Sequence, residues 1–538
     1  MKRLIPIVAV ALLAIAVVFG SGIIPQQNGL RGNLHIVSGS ENKALEPIIA
    51  EWGNENGVDV KVTYKGSVDI SRILGEGAEG EFDAVWPANS LWIELGDTQK
   101  VVKHRESILR SPVVLGLRRP IAERLGWVGR DDITVQMIQE AASADKFRLS
   151  MTSATQSNSG ASAYFGFLYA LGDNPDVLTL DDLGDEALQD KVRDLLAQVD
   201  RSSGSSGWLK DSLVANPRAF DAMFNYEALV IEANQALVAS GQDPLYVIYP
   251  ANGLSVADSP LGYVNKGNAE TEEAFLNLQA HLLSDPVQDQ LVALGRRAGL
   301  IGLAADNADT AVWNPEWGVD LNRAIAPIPT PDAAVIGEAL RLYQSELRKP
   351  SLTVWVLDVS GSMEGEPLDQ LKAAMGLLLD AEAAAVNLLQ PSSRDINILL
   401  AFNHEHLPPE TYKGAEPAAL RQALNTVQGL QAGGGTDLYA ALWYALEALE
   451  PYHADGTLFD YLPAIVAMTD GASDTINRDL LLRTLETNGF GSDVPIHAIA
   501  FGAADETQLK ELNEATIGRQ FSAGSDLAGA LRKAKGYN

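Results

Sequence analysis

Asp358, Ser360 and Ser362 stand at alternate positions of one short stretch, Asp358-Val359-Ser360-Gly361-Ser362. One carboxylate and two neutral hydroxyls make an all-oxygen donor set of the kind that holds a hard divalent cation such as Mg2+. Such a string is weak by itself, because Asp and Ser are common turn residues. Two further stretches strengthen it. Gly433-Gly434-Gly435 leads to Thr436 and Asp437 at the start of a helical pattern. The glycines open backbone conformations closed to other residues, and a helix start is where capping oxygens belong. Thr469-Asp470-Gly471 offers a second acid at the tip of another turn. Asp358, Ser360, Ser362, Thr436 and Asp470 are therefore candidate ligands of one Mg2+, or of another divalent cation such as Mn2+ or Ca2+. Neutral hydroxyls leave such an ion's charge incompletely neutralised, so a carboxylate from outside is a strong further ligand.

The elements that must position these residues are legible nearby. The apolar run Leu352 to Leu357 precedes Asp358, and Leu462 to Met468 precedes Thr469. Both read as buried strands, which sets the acids at strand ends. In an open parallel α/β sheet that edge is where ligands bind. From about residue 350 to 538 the chain resembles a von Willebrand factor type A (VWA) domain, and the family pattern D-x-S-x-S, then Thr, then Asp is met by all five residues named above. The resemblance implies a doubly wound, Rossmann-like sheet with a metal-ion-dependent adhesion site. Its Mg2+ takes an acidic side chain from a protein partner.

Upstream, strand, small polar turn and helix alternate, the pattern of a parallel α/β sheet. Leu34 to Val37 is a strand followed by the turn Ser38 to Asn42 and a helix over Lys43 to Asn54. Val58 to Tyr64 and Phe82 to Trp86 are further strands, and Gly66-Ser67-Val68-Asp69 opens a helix. A second unit begins near Arg148, with a strand at Leu149 to Thr152, a polar stretch Ser153 to Ser162, and a helix over Ala163 to Leu171. The apolar runs Pro112 to Leu117 and Leu245 to Tyr249 bracket this unit and read as crossings between two lobes. The arrangement resembles a type II periplasmic solute-binding protein. The resemblance rests on Gly39 to Asn42, Tyr64 to Asp69, Thr152 to Ser159 and Asn225 to Ile231. It implies a small solute held between two lobes that close like a hinge. Serine hydroxyls and free N–H groups at helix starts favour anions. Ser40, Ser67, Asn89, Thr152 and Ser157 are the candidates, each with helix capping as the plain alternative. Glu227 complicates a simple anion site, because a buried carboxylate needs a donor or a cation nearby, an amine or a metal.

The expected organisation is an N-terminal segment over 1–30 and a two-lobed part over 33–325, with lobe one about 33–112 and 250–325 and lobe two about 113–249. A linker over 326–349 carries Pro327, Pro329 and Pro331 and then a helix over Ala333 to Leu347, and the VWA-like part fills 350–538. Arg201 to Gly207, rich in Ser and Gly, reads as a surface loop. Trp313 and Trp317 are candidates for packing a lobe onto the linker, with core packing the default.

Lys2 and Arg3 precede an uncharged apolar run from Leu4 to Ile24, as in an export signal or a single membrane span. Either reading places the working parts outside the cytoplasm, at the cell surface, membrane-anchored or secreted. With 538 residues the chain is too long for one core. The formal net charge of −30 argues against nucleic acid as a partner. There is no cysteine, so disulfides, zinc thiolates and a thiol nucleophile are excluded. No nucleophile elbow, zinc-protease motif or phosphate loop appears. His404-Glu405-His406 supplies two histidines without a third ligand, and reads as a solvated loop. The expectation is a non-catalytic adhesion or binding protein. The alternative is the solute receptor of an importer driven by ATP, with the C-terminal part as a docking module.

Overall fold

The computed structural model describes residues 32–298, 308–470, 473–501, 506–522 and 527–536. The apolar N-terminal run and Gly471 lie outside the described residues.

The first lobe is built on β1 (Gly32–Ser38), β2 (Val58–Tyr64), β3 (Ala84–Trp86) and β4 (Val102–Ser107). The chain then forms β5 (Ser111–Arg118), β6 (Leu149–Thr152), β7 (Val199–Ser203), β8 (Ala222–Tyr226), β9 (Leu245–Ile248) and β10 (Val256–Ala257), and returns with β11 (Pro260–Val264). Strand order in the first sheet is β2-β1-β3-β11-β4. In the second it is β10-β5-β8-β6-β7, with β9 also on β5. The runs expected as crossings are thus β5 and β9, antiparallel neighbours inside the second sheet. Their apolar side chains are explained by burial there. The crossings fall instead at the short segments between β4 and β5 and between β10 and β11.

Helices pack on both sheets. α1 (Glu46–Asn56) starts three residues later than the pattern predicts, because Ser40–Leu45 winds as a tighter 3-10 turn. α2 (Ser67–Leu74) follows an extended Gly66. α3 (Asn158–Leu171) starts five residues before the expected helix. The small polar residues at this start are buried and bond to one another, with Thr152 and Ser159 sharing a 2.8 Å hydrogen bond. α4 (Ser206–Ala215) is capped by Ser205, whose Oγ accepts from the Trp208 N–H. α5 (Glu227–Ala239) and, in the linker, α6 (Ala333–Leu342) complete the set used below. Trp313 and Trp317 are buried with Leu209, Phe220 and Val247 in the core of lobe two.

The C-terminal part is one mixed sheet of β12 (Ser351–Asp358), β13 (Ile396–Phe402), β14 (Glu410–Lys413), β15 (Leu462–Thr469), β16 (Ile496–Ala500) and β17 (Gln520–Ser522). Its order is β14-β13-β12-β15-β16-β17, parallel except at β14. Every residue of central β12 is buried. The period of two explains why: Trp355 and Leu357 enter one core beneath α7 (Glu366–Leu379), while Val354 and Val356 enter another beneath α8 (Leu438–Ala454). A last helix, α9 (Leu527–Gly536), adds Ala530, Leu531 and Ala534 to the first of these cores. Among the described residues no helix is long and apolar enough to cross a membrane.

Candidate metal centre and interlobe cleft

Three loops meet at the carboxyl edge of the C-terminal sheet. Asp358 ends β12 fully buried, and its two oxygens are both used: Oδ1 accepts from the Ser360 N–H at 2.8 Å and Oδ2 from Thr469 Oγ1 at 2.6 Å. Ser360 Oγ and Ser362 Oγ share a 3.1 Å hydrogen bond, and Ser362 Oγ donates to Asp470 Oδ1 at 2.9 Å. The glycine loop is held against the first turn by its backbone: Gly361 N donates to Gly434 O at 3.0 Å and Gly433 N to Val359 O at 2.8 Å. Gly434 has φ of 87°, and a Cβ there would meet the His404 ring at 2.4 Å, so only glycine fits. Thr436 is fixed by its carbonyl, which accepts from Asp474 N at 2.9 Å. Asp437 caps α8 by accepting from the Ala440 N–H, so it serves the helix start.

Burial raises the Asp358 carboxyl above its ordinary range, and the nearby charge of Asp470 adds to the rise. Among the described residues neither acid has an ion pair with Lys, Arg or His. Two acids with hydroxyls between them and no counter-charge fit a hard cation with oxygen ligands. Among the described residues no cluster of three His, Cys, Asp or Glu side chains occurs, so this oxygen set relies on hydroxyls. His406 stacks on Tyr444 with ring centroids 3.4 Å apart. The His404 side chain is 58 % exposed, as a solvated loop requires.

The second site lies between the lobes, a cavity of about 400 Å3. Ser40 and Ser67 line it from lobe one, and Ser157, Ser205 and Gly207 from lobe two. The lobes touch at its rim. Ser205 Oγ donates to Ser40 Oγ at 3.0 Å, and the Gly207 N–H points at the same oxygen at 3.3 Å. Gly66 approaches so closely that a Cβ would sit 2.0 Å from the Gln156 carbonyl oxygen. The starts of α2, α3 and α4 all border the cavity, and each brings its positive end. Glu41 also lines it, with a fully enclosed Oε1 that has no hydrogen-bond partner. Burial pushes this carboxyl up to about 7, with Arg296 pulling it back.

Of the residues expected in this cleft, Ser40, Ser67 and Ser157 are there and three are not. Glu227, the first residue of α5, is fully buried against Arg297, whose Nε donates to Oε2 at 2.7 Å and Nη2 to Oε1 at 2.8 Å. Tyr249 OH donates to Oε1 as well. The cation this acid needs is supplied by the chain, so Glu227 is structural. Thr152 spends its hydroxyl on Ser159 and supports the start of α3. Asn89 accepts from the Leu91 N–H and donates to the Val256 carbonyl, beside a different cavity lined by the Pro327–Pro331 linker. The stretch Arg201 to Gly207, expected as a surface loop, is β7 and the start of α4. Its serines are buried or line the cleft because a strand end and a helix cap both use Ser and Gly. Ser205 and Lys210 also line the cavity and were missed by sequence reasoning; the capping position before Trp208 could have signalled Ser205, and no pattern marks Lys210.

A family model described as bacterial extracellular solute-binding protein matches residues 34–297, and one described as von Willebrand factor type A domain matches residues 353–520. Among solved structures, the Azotobacter vinelandii periplasmic molybdate-binding protein is 15 % identical, with 50 % of this chain and 100 % of that chain covered and a TM-score of 0.35. The ferric binding protein from Campylobacter jejuni is 13 % identical over 58 % of this chain and 98 % of its own, with a TM-score of 0.41. Iron-bound HitA from Pseudomonas aeruginosa is 16 % identical over 58 % and 98 %, with a TM-score of 0.39. Along the chain, a match to the bacterial extracellular solute-binding protein model is thus followed by a match to the von Willebrand factor type A model.

Proposed function

We propose that this chain is an extracytoplasmic, non-catalytic binding protein whose VWA edge holds Mg2+ and grips a protein partner through an acidic side chain. The observation that carries this reading is the convergence of Asp358, Ser360, Ser362 and Asp470 in one hydrogen-bonded chain at the sheet edge. Mg2+ bound there supplies a positive centre with a coordination position for the partner's carboxylate. Asp358 and Asp470 would anchor it, Ser360 and Ser362 would turn their hydroxyl oxygens to it, and Thr436 would reach it from the glycine loop. The surface beside it suits a protein: Ile476, on the loop tied to Thr436 through Asp474, is 84 % exposed. An apolar side chain next to a polar anchor is the usual composition of a protein contact. Calorimetric titration of the full chain with Mg2+ tests the first half, with binding expected in the natural chain and lost in Asp358→Ala. Equal partner binding in EDTA and in Mg2+ would overturn the second half.

The interlobe cavity supports a second activity, binding of a small solute. Its three helix starts and its lysines favour an anion. The importer-receptor alternative shares this cleft and differs in its partner. Co-purification of a membrane permease, unaffected by EDTA, would favour it.

A further inference from the structure

The interlobe cavity has a third wall. Ala530, Leu531 and Ala534 commit one face of α9 to the VWA core, which turns Arg532 and Lys533 toward the lobes. Arg532 Nη2 lies 2.7 Å from Asp69 Oδ1, and its Nε donates to the same oxygen at 3.0 Å. Both side chains are buried, and Asp69 sits on α2, whose start borders the cavity. The Arg532 carbonyl accepts from Gln156 Nε2, in the lobe-two loop that abuts Gly66. Residue 532 therefore touches both lobes at once. Beside it Lys533 lines the cavity itself, together with Arg519 just before β17.

These two residues change the sign of the site. The two lobes alone line the cavity with Lys43, Lys65 and Lys210 against three acids, a balanced set. Two of those acids, Asp211 and Glu232, already hold Lys210 at 3.0 Å each. Among the described residues, Arg519 and Lys533 tip this lining to a positive balance. The third acid, Glu41, has one carboxylate oxygen fully enclosed by the chain itself. About 400 Å3 is more than a lone inorganic oxyanion needs and falls in the range of small organic ligands.

We propose that the VWA domain completes the solute site: Arg519 and Lys533 form its cationic wall, its ligand is a small organic anion, and ligand binding is coupled to the docking of α9 across the two lobes. The inference rests on the cleft being a solute site. Coupling of this kind is reciprocal, so the anion holds the VWA domain down as firmly as the VWA domain holds the anion.

The test is calorimetric titration of the full chain with citrate and with glucose 6-phosphate, against glucose as the neutral control. At least one of the two anions is expected to bind and glucose is not. The double variant R519Q/K533Q is expected to weaken binding about tenfold or more, and Lys65→Gln, in lobe one, to weaken it too. Weakening by Lys65→Gln alone keeps the cleft as the solute site and overturns the part assigned to the VWA domain. Binding untouched by either set, or no binding by either anion, removes the anion reading of the cleft and this inference with it. Hydrogen exchange of the unmodified chain decides the coupling even where the double variant fails to fold. Amides of residues 527–536 are expected to exchange more slowly at saturating anion, and unchanged exchange there overturns the coupling.

Discussion

At the scale of single residues, burial moves the Asp358 and Glu41 carboxyls and the Lys535 amine away from their ordinary titration. Asp358 is raised by burial, yet its oxygens are occupied by an N–H and a hydroxyl. Asp358→Asn keeps most of that hydrogen bonding and removes the repulsion from Asp470. In EDTA the variant is expected to melt no lower than the natural chain. In Mg2+ it is expected to lose the rise in Tm that ligand linkage gives the natural chain. Glu41 is raised from 4.5 to about 7. A raised acid contributes stability that is complete below the unfolded value and is lost as pH rises through the folded one. Between pH 4.5 and 7 the natural chain should lose up to ~3 kcal/mol relative to Glu41→Gln, less for the part of the side chain that meets water. Lys535 works in the adjoining window. Burial drives its ammonium down to about 7, against the pull of Asp395, and Arg348 adds to the fall. Its unfolded form holds the proton longer, so stability rises as pH goes from about 7 toward 10.5, and Lys535→Met should flatten that rise. Denaturant melts of each variant against the natural chain, at pH 5, 7 and 9, read both slopes.

At the scale of elements, the sheet edge carrying Asp358 and Asp470 was legible and the make-up of the cleft only half so. Strands β12 and β15 announce themselves by continuous apolar runs ending in an acid, and sequence spacing alone brings Asp358, Ser360 and Ser362 to one turn. The cleft depends on which small polar residues are buried, and composition does not say. Ser153 to Ser162 is rich in small polar residues, yet it supplies the buried start of α3. Glu227 looked available, yet its counter-charge Arg297 is 70 residues away. Gly66 marks a close contact between the two lobes. Gly66→Ala would place a methyl 2.0 Å from the Gln156 carbonyl, so the lobes must part. An increased radius in solution scattering is the expected outcome, and an unchanged radius would contradict the closed rim.

At the scale of the whole molecule, the VWA domain rests on both lobes. Arg72 of α2 donates to the Asn387 carbonyl at 3.2 Å, and Gln344 Nε2, after α6, donates to the Gln390 carbonyl at 3.0 Å. No pattern in the sequence announces such contacts, because each pairs an ordinary polar residue with a distant backbone. Removing the Arg532 guanidinium would leave Asp69 charged and buried, at about 3–5 kcal/mol. Arg532→Ala is therefore expected to split one calorimetric unfolding transition into two, whereas Asp69→Asn with Arg532→Met should restore a single one. Two transitions in the natural chain would show that the docking is weak. The pair also has a consequence for how the protein is made. Asp69 and Arg532 lie 463 positions apart. At ~5–20 residues per second the ribosome needs tens of seconds to travel between them, and both lobes can fold in that interval. Lobes that fold ahead of α9 leave this wall of the pocket open to whatever the surroundings offer.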